Sequence, residues 1–301
     1  MIAILRTMLL TLLLASSAWA GNVTLVLTES SGPYAEFDNT LRSVLDGNNW
    51  KLSTHNASNL PETFTPRPEL IVTAGTAAFR QILSRGGQTP IIATLIPRQA
   101  YDKALADHNL RSSGRISAIY LDQPPARQAA FLRHLLPDQK KIGMLLSQET
   151  LPTLAGFRQA FSKAGLNIET EESETERSLL PSLNSLLSRV GVLLATPDTQ
   201  IYRRDNIKAI LVTTYRYQRP VIAFSSAFVN AGALAALFST PAQIARQTAE
   251  LIQQFSTTLP APSAPAQFAI AINPNVAQAL DLQLPDEATI RRAMLAERES
   301  R

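Results

Sequence analysis

Asn22-Val-Thr-Leu-Val-Leu-Thr28 is a continuous apolar, β-branched run that stops at Glu29-Ser-Ser-Gly-Pro33. That profile predicts a parallel strand buried on both faces, followed by a turn. Apolar residues then recur at Tyr34, Phe37, Leu41, Val44 and Leu45, a helical spacing that ends at Asp46-Gly47. The unit repeats along the chain. Further strands are predicted at Trp50 to Thr54, Leu70 to Thr73, Pro90 to Thr94 and Ile116 to Leu121, with a helix from Thr76 to Leu83. A second array begins at Lys141-Ile-Gly-Met-Leu-Leu146 and alternates helix and strand to Pro220-Val-Ile-Ala-Phe224. Strands alternating with helices bury a parallel sheet between helical layers. Two such arrays predict an α/β protein of two Rossmann-like lobes, each a parallel sheet flanked by helices.

Leu121 to Pro125 is the expected first crossover between the lobes. The helix predicted from Ala242 to Phe255 and the strand from Phe268 to Ile272 come after the second array is complete. The chain is therefore expected to return to lobe 1 and cross again near Leu259 to Ala266, where Pro260-Ala-Pro-Ser-Ala-Pro265 is stiff and extended by composition. Lobe 1 is then 21–120 plus about 236–260, and lobe 2 is 121–235 plus about 267–301. A closing helix runs from Glu287 towards Glu297. Residues 1–20 read as a cleaved signal peptide, with Arg6 before a Leu-rich run and small residues at Ala18 and Ala20. That run is shorter than the roughly 20 residues a spanning helix needs. No cysteine stands at the cleavage point, so the expected product begins at Gly21, is not lipidated and is periplasmic, peripheral to the inner membrane at most.

Composition removes several functional classes. The chain has 301 residues, 45% of them hydrophobic, with Lys+Arg 28, Asp+Glu 24, three His and no Cys. This is too apolar for a disordered chain, and it excludes disulfides, Cys nucleophiles and iron–sulfur ligation. The basic residues are spread out and aromatics make up only 6%, so no nucleic-acid partner is expected. His55, His108 and His134 stand far apart, without metal-ligand spacing. No nucleophile elbow, dinucleotide fingerprint or phosphate loop occurs. The reading is a monomeric, non-enzymatic protein with no metal and no cofactor.

The candidate site residues are the polar groups at the carboxyl ends of strands, where open α/β sheets bind ligands. In lobe 1 these are Thr28, Glu29 and Ser30 after the first strand, Gly75 and Thr76 after the third, and Thr94 at the fourth. In lobe 2 they are Ser147 and Gln148, Asp198 and Thr199, and Ser225 and Ser226. Helix capping or turn formation would also account for any one of them. Gly75-Thr76 stands out because a glycine lets backbone approach a ligand closely and Thr76 opens a helix with free N–H groups. Valine at position 75 is expected to block that approach and leave the fold intact.

Four stretches, taken in order, resemble the ABC transporter substrate-binding protein family that includes the tryptophan- and tyrosine-binding lipoproteins. They are Ile71-Val-Thr-Ala-Gly-Thr-Ala-Ala78, Gln128 to Met144 with its Leu135-Leu-Pro137 stop, Arg219 through Gly232-Ala-Leu-Ala235 to Gln247, and Ile272-Asn273 to Leu284-Pro285. The resemblance implies a hinged periplasmic binding fold of type I, with three crossovers and lobes that close on a small ligand. It implies delivery of an amino-acid-like or anionic solute to an ABC permease. By position, Gly75 and Thr76 match the family's ligand-facing turn, and Asp198, Thr199 and Ser225 its lobe-two loops. The chain departs from the family at Thr94-Leu-Ile-Pro97-Arg98, where members carry Asp-Pro, and at Ser147-Gln-Glu-Thr150, where they carry Asn-Ser. A second reading keeps the same cleft for a periplasmic sensor or accessory protein working with a membrane receptor or outer-membrane uptake system.

Overall fold

Five parallel strands make the first sheet: β1 (Gly21–Leu27), β2 (Trp50–Asn56), β3 (Leu70–Ala74), β4 (Ile91–Ile96) and β5 (Ile116–Tyr120), in the order β2-β1-β3-β4-β5. The computed structural model describes residues 21–173 and 175–299, and the expected signal peptide lies outside them. Helices α1 (Pro33–Leu45), α2 (Thr76–Arg85) and α3 (Arg98–Asp107) belong to this lobe. The second sheet has six strands: β6 (Lys141–Leu146), β7 (Asn167–Glu172), β8 (Val192–Leu194), β9 (Val221–Ala223), β10 (Ala235–Phe238) and β11 (Ala269–Ile272). Their order is β11-β10-β9-β8-β6-β7, with only β11 antiparallel to its neighbour. Its helices are α4 (Pro125–Leu135), α5 (Leu154–Lys163), α6 (Glu176–Leu187), α7 (Arg204–Arg216) and α8 (Ser226–Ala231). The last three helices are α9 (Pro241–Gln254), α10 (Pro274–Ala279) and α11 (Glu287–Glu299). The architecture is the two-lobed, parallel-sheet α/β arrangement that the strand and helix alternation predicts.

Each central strand is buried along its length because helices cover both faces of its sheet. β3 and β4 are buried at every residue, which is why they read as unbroken apolar runs. In the first lobe, one face packs Leu25, Phe37, Leu41 and Val72, and the other packs Phe79, Ile82, Ile92's neighbours Ile91 and Ala93, and Tyr101. Tyr101 stacks on Phe79 with centroids 5.2 Å apart. Periodicity did not mark α3, β10 or α8. The buried face of α3 is mostly Ala100, Tyr101, Ala104 and Leu105, and β10 is Ala-Ala-Leu-Phe, so neither carries the bulky or β-branched pattern that a sequence reading uses.

The chain leaves the second sheet after Phe238, and α9 packs on α1 of the first lobe. Ile244, Ala245, Ala249 and Ile252 complete the core that holds Phe37, Leu41 and Leu45. A Thr240/Gln243 capping box opens α9, which fixes its entry into that core. The proline-rich segment then runs beside β5, with Ser263 bonded to Ala118 and Tyr120 through the backbone. The chain returns to the second sheet as β11, and Ile290 and Met294 of α11 join the core beside α4. Replacing Ile252 by Ala is expected to lower stability by about 2–5 kcal/mol, read by urea denaturation, because its burial leaves a cavity that cannot collapse fully.

Candidate functional site

The carboxyl ends of the two sheets face each other across a cavity of about 500 Å³. Lobe 1 contributes Pro33, Tyr34 and Glu36 of α1 with Leu95 and Pro97 at the end of β4. Lobe 2 contributes Pro197, Asp198, Thr199 and Tyr202 after β8, and Phe224, Ser225, Ser226 and Ala227 after β9. Leu121, Phe238, Ser239 and Pro241 line it from the connecting segments. Leu95 reaches this surface because β4 breaks register between Ala93 and Ile96, with Leu95 at a left-handed φ of 48°. Such irregularities re-aim side chains next to sites.

Four of the twelve expected residues line the cavity: Asp198, Thr199, Ser225 and Ser226. Asp198 is 3% exposed and its carboxylate is fully engaged. It accepts from Thr150 Oγ1 (2.6 Å), the Ser147 amide (3.2 Å), and the amides of Gln200 (2.9 Å) and Ile201 (3.0 Å). Asp198 thus pins the loop after β8 to the loop after β6. Ser225 caps α8, accepting from the Phe228 amide at 3.3 Å. Ser147 is buried behind Asp198, and Gln148 is exposed away from the cavity lining.

The lobe 1 candidates stand back from the cavity. Thr94 is fully buried and donates to the Thr73 carbonyl at 2.9 Å, a bond within the sheet. Glu29 and Ser30 are exposed, with Ser30 Oγ accepting from Asn56 Nδ2 at 3.2 Å. Thr76 is half-buried in the first turn of α2. Gly75 has φ 95° and precedes α2, as its expected role requires, but the space a ligand would use is filled from within. A Cβ there would strike the Thr28 hydroxyl and come 2.8 Å from the Tyr34 hydroxyl. Thr28 itself donates to the Ala74 carbonyl (3.0 Å) and accepts from the Ala78 amide (3.2 Å). Gly75 therefore makes room for Thr28 and for Tyr34, which in turn faces the cavity. Valine at this position would disturb the fold, contrary to the expectation from sequence.

The aromatic walls are what a search for polar strand-end residues passes over. Tyr34 and Tyr202 read as the apolar openings of helices and Phe224 as the last residue of a strand, while Phe238 ends β10, which the sequence reading did not mark. Tyr202 packs edge-on to Phe224 at 5.9 Å, and Phe224 to Phe228 at 5.7 Å. Tyr202 is 7% exposed, and its hydroxyl has no hydrogen-bond partner among the described residues. Burial, reinforced by Asp198, holds its ionisation above the usual tyrosine range. Burial does the same to Tyr34, where a bond to Thr28 works against it and Glu29 with it.

A second interlobe cavity, about 640 Å³, lies on the other side of Pro197. Gln99 of α3 donates to the Pro197 carbonyl, and Lys103 pairs with Glu149 at 3.5 Å, so two contacts bridge the lobes here. Asp122 accepts from the Arg98 amide at 2.7 Å, yet burial pushes its carboxyl up to about 6. Among the described residues, no group of three His, Asp or Glu is placed to hold a metal ion. His108 bonds the Ala104 carbonyl, and His134 meets Glu297 at 3.3 Å. No helix among the described residues is long and apolar enough to cross a membrane.

A family model described as ABC transporter substrate binding protein matches residues 37–294. No curated protein sequence matches the chain. Among solved structures, the chain is similar to an ABC domain from Streptococcus pneumonia in complex with L-Trp, with a TM-score of 0.63 and 16% identity over 91% of this chain and 98% of that one. It is similar to a ligand-free, open substrate-binding protein with adhesive properties from Clostridium difficile, with a TM-score of 0.66 and 14% identity over 88% and 96%. A periplasmic ribose ABC transporter structure from Conexibacter woesei follows with a TM-score of 0.53 and 13% identity over 89% and 98%. At these identities the likeness establishes the fold.

Two substitutions test the local physics. Gly75→Ala is expected to cost about 1–3 kcal/mol in urea denaturation, from a left-handed backbone and a clash with Thr28. Asp122→Asn keeps the bond from Arg98 and removes a carboxyl that the folded state holds protonated up to about pH 6. The folded state binds that proton more tightly than the unfolded one, so wild-type stability falls as pH rises from about 4 to 6. The variant is expected to melt higher than wild type at pH 7.5, with the difference vanishing near pH 4.

Proposed function

We propose a function from a premise that is established: this chain belongs to the ABC transporter substrate-binding protein family. It captures a small solute between its lobes and delivers it to an ABC permease. The observation that carries this reading is that the 500 Å³ cavity is built by both lobes and their connections, with Tyr34 and Leu95 on one side and Tyr202, Phe224 and Ser225 on the other. Its volume is in the range of small-molecule sites. A ligand that touches both walls binds the closed arrangement better than the open one, and that difference is what shifts the population towards closure. The L-Trp complex of the pneumococcal structure supports a ligand of amino-acid size.

The reading is non-catalytic, since Asp198 and Ser225 at the cavity have structural partners rather than a nucleophile–base relationship. Asp198 accepts four hydrogen bonds and Ser225 caps a helix. In this reading residues 1–20 direct export, the product acts in the periplasm without a lipid anchor, and it works as a monomer. The lobes are 21–120 with about 236–260 returning and 121–235 with about 267–301, except that β10 (Ala235–Phe238) pairs within the second sheet, so the return to lobe 1 follows Phe238. Asp198, Thr199, Ser225 and Ser226 are the ligand-touching residues carried over from the sequence reading. Of the solute classes it offered, the anionic one loses support because no Lys, Arg or His lines the cavity.

A thermal-shift screen of residues 21–301, free of co-purified solute, tests the reading against amino acids, amines, carboxylates, nucleobases and vitamins. A true ligand at 100 times its Kd is expected to add about 2.7 kcal/mol, a rise of several degrees. Silence across the whole panel overturns it.

A further inference from the structure

We infer that the interlobe cavity selects an organic cation: a protonated amine carried on an apolar body. The inference deepens the receptor reading above and rests on it. Of the side chains lining the cavity, only Glu36 and Asp198 carry a formal charge, and both are negative. Neither belongs to an ion pair among the described residues. Asp198 receives only neutral donors, and Glu36 accepts a single 3.3 Å bond from the Ala242 amide. The neighbouring cavity is different, since Arg98 and Lys103 stand beside its acids.

Charges near low-dielectric walls are screened less than charges in water, so the negative field of these side chains reaches any occupant, offset only in part by the amino-terminal turns of α1, α8 and α9 at the lining. A carboxylate would enter against that field with no cation to receive it. A zwitterionic amino acid would meet the same obstacle at one end. The walls also favour a cation, because the faces of Tyr and Phe rings attract ammonium groups, and Tyr34, Tyr202, Phe224 and Phe238 all contribute surface. The decisive group is Tyr202. Its buried hydroxyl lacks a partner among the described residues, a state that carries a desolvation penalty until something bonds to it. That hydroxyl is fully buried in this arrangement of the lobes, so an ammonium N–H donates to it, beside Asp198, when closure turns the ring towards the cavity. A neutral apolar ligand would leave both unmet.

The test compares three probes that share a phenyl ring and a short chain: 2-phenylethylamine, 3-phenylpropionate and phenylalanine. Binding is measured by calorimetry and thermal shift on residues 21–301 at neutral pH. The amine is expected to bind at least tenfold more tightly than either of the others. Glu36→Gln and Tyr202→Phe, each checked for native circular dichroism, are expected to weaken amine binding about three- to tenfold. Glu36→Gln is expected to leave phenylpropionate binding no weaker. Equal or tighter binding of the acid or the amino acid overturns the charge preference and leaves the receptor reading standing. Amine binding unmoved by both substitutions places the amine elsewhere and overturns the assignment. No response to any of the three also overturns it, and the broad screen then decides the receptor reading separately.

Discussion

A short chain of hydrogen bonds joins the three segments that pass between the lobes. Gln123, in the first crossover, donates from Nε2 to Ser239 Oγ at 2.8 Å, and Ser239, in the second, donates to the Gln267 carbonyl in the third at 2.6 Å. Arg127 reinforces it by donating to Gln123 Oε1 (2.7 Å) and to the Pro265 carbonyl (2.9 Å). Gln123 and Ser239 are buried, so these bonds are shielded from competing water. Holding three strands of chain in one line restricts the lobes to rotation about that line. The cavity depends on this restriction, because its walls come from strand ends that lie far apart in sequence. Ser239 is also part of the cavity lining, so the residue that closes the relay borders the cavity as well.

The contact of Gln99 with Pro197 divides the interlobe space into two environments of different chemistry. On one side, Arg98, Asp102, Lys103 and Glu149 form ion pairs within and between lobes. These pairs are largely exposed, and pairs of that kind contribute little individually to stability. On the other side the lining is aromatic and proline-rich, with carboxylates that have no cationic partner. The partition gives the two sides separate tasks. Lys103 of α3 and Glu149 of the loop after β6 bridge the lobes on the charged side, and the proposed solute space lies on the aromatic side.

Several residues that look like ligand contacts, whether or not they also reach the cavity, build the loops that carry them. Asp198 gathers four donors from two loops, Thr94 ties β4 to β3, and Thr28 bonds Ala74 and Ala78 across the turn at Gly75. Polar residues at strand ends must satisfy nearby backbone groups before they are free for anything else. This is why Thr28, Thr94 and Ser147 stand behind the cavity surface. The surface itself is made by Tyr34, Tyr202, Phe224 and Phe238, whose side chains are long enough to project past those turns.

Strand and helix alternation from Asn22 to Phe224 was enough to read the two-lobed α/β fold, because buried parallel strands and amphipathic helices impose local periods on the sequence. The order of four stretches was enough to read the family. Elements without a strong period, such as α3 and the alanine-rich β10, left no such mark. The cavity was legible only in part: strand ends pointed to Asp198, Thr199, Ser225 and Ser226, whereas Glu36, Leu95, Tyr202 and Ser239 carry no local signature. Their grouping arises from the crossing of the chain between lobes, from the register break at Leu95 and from the filling of the space above Gly75. Periodicity is a property of neighbours in sequence, and it determined the sheets and their helices. The composition of the cavity is a property of residues more than two hundred positions apart, such as Tyr34 and Ser239, and only tertiary packing decided it.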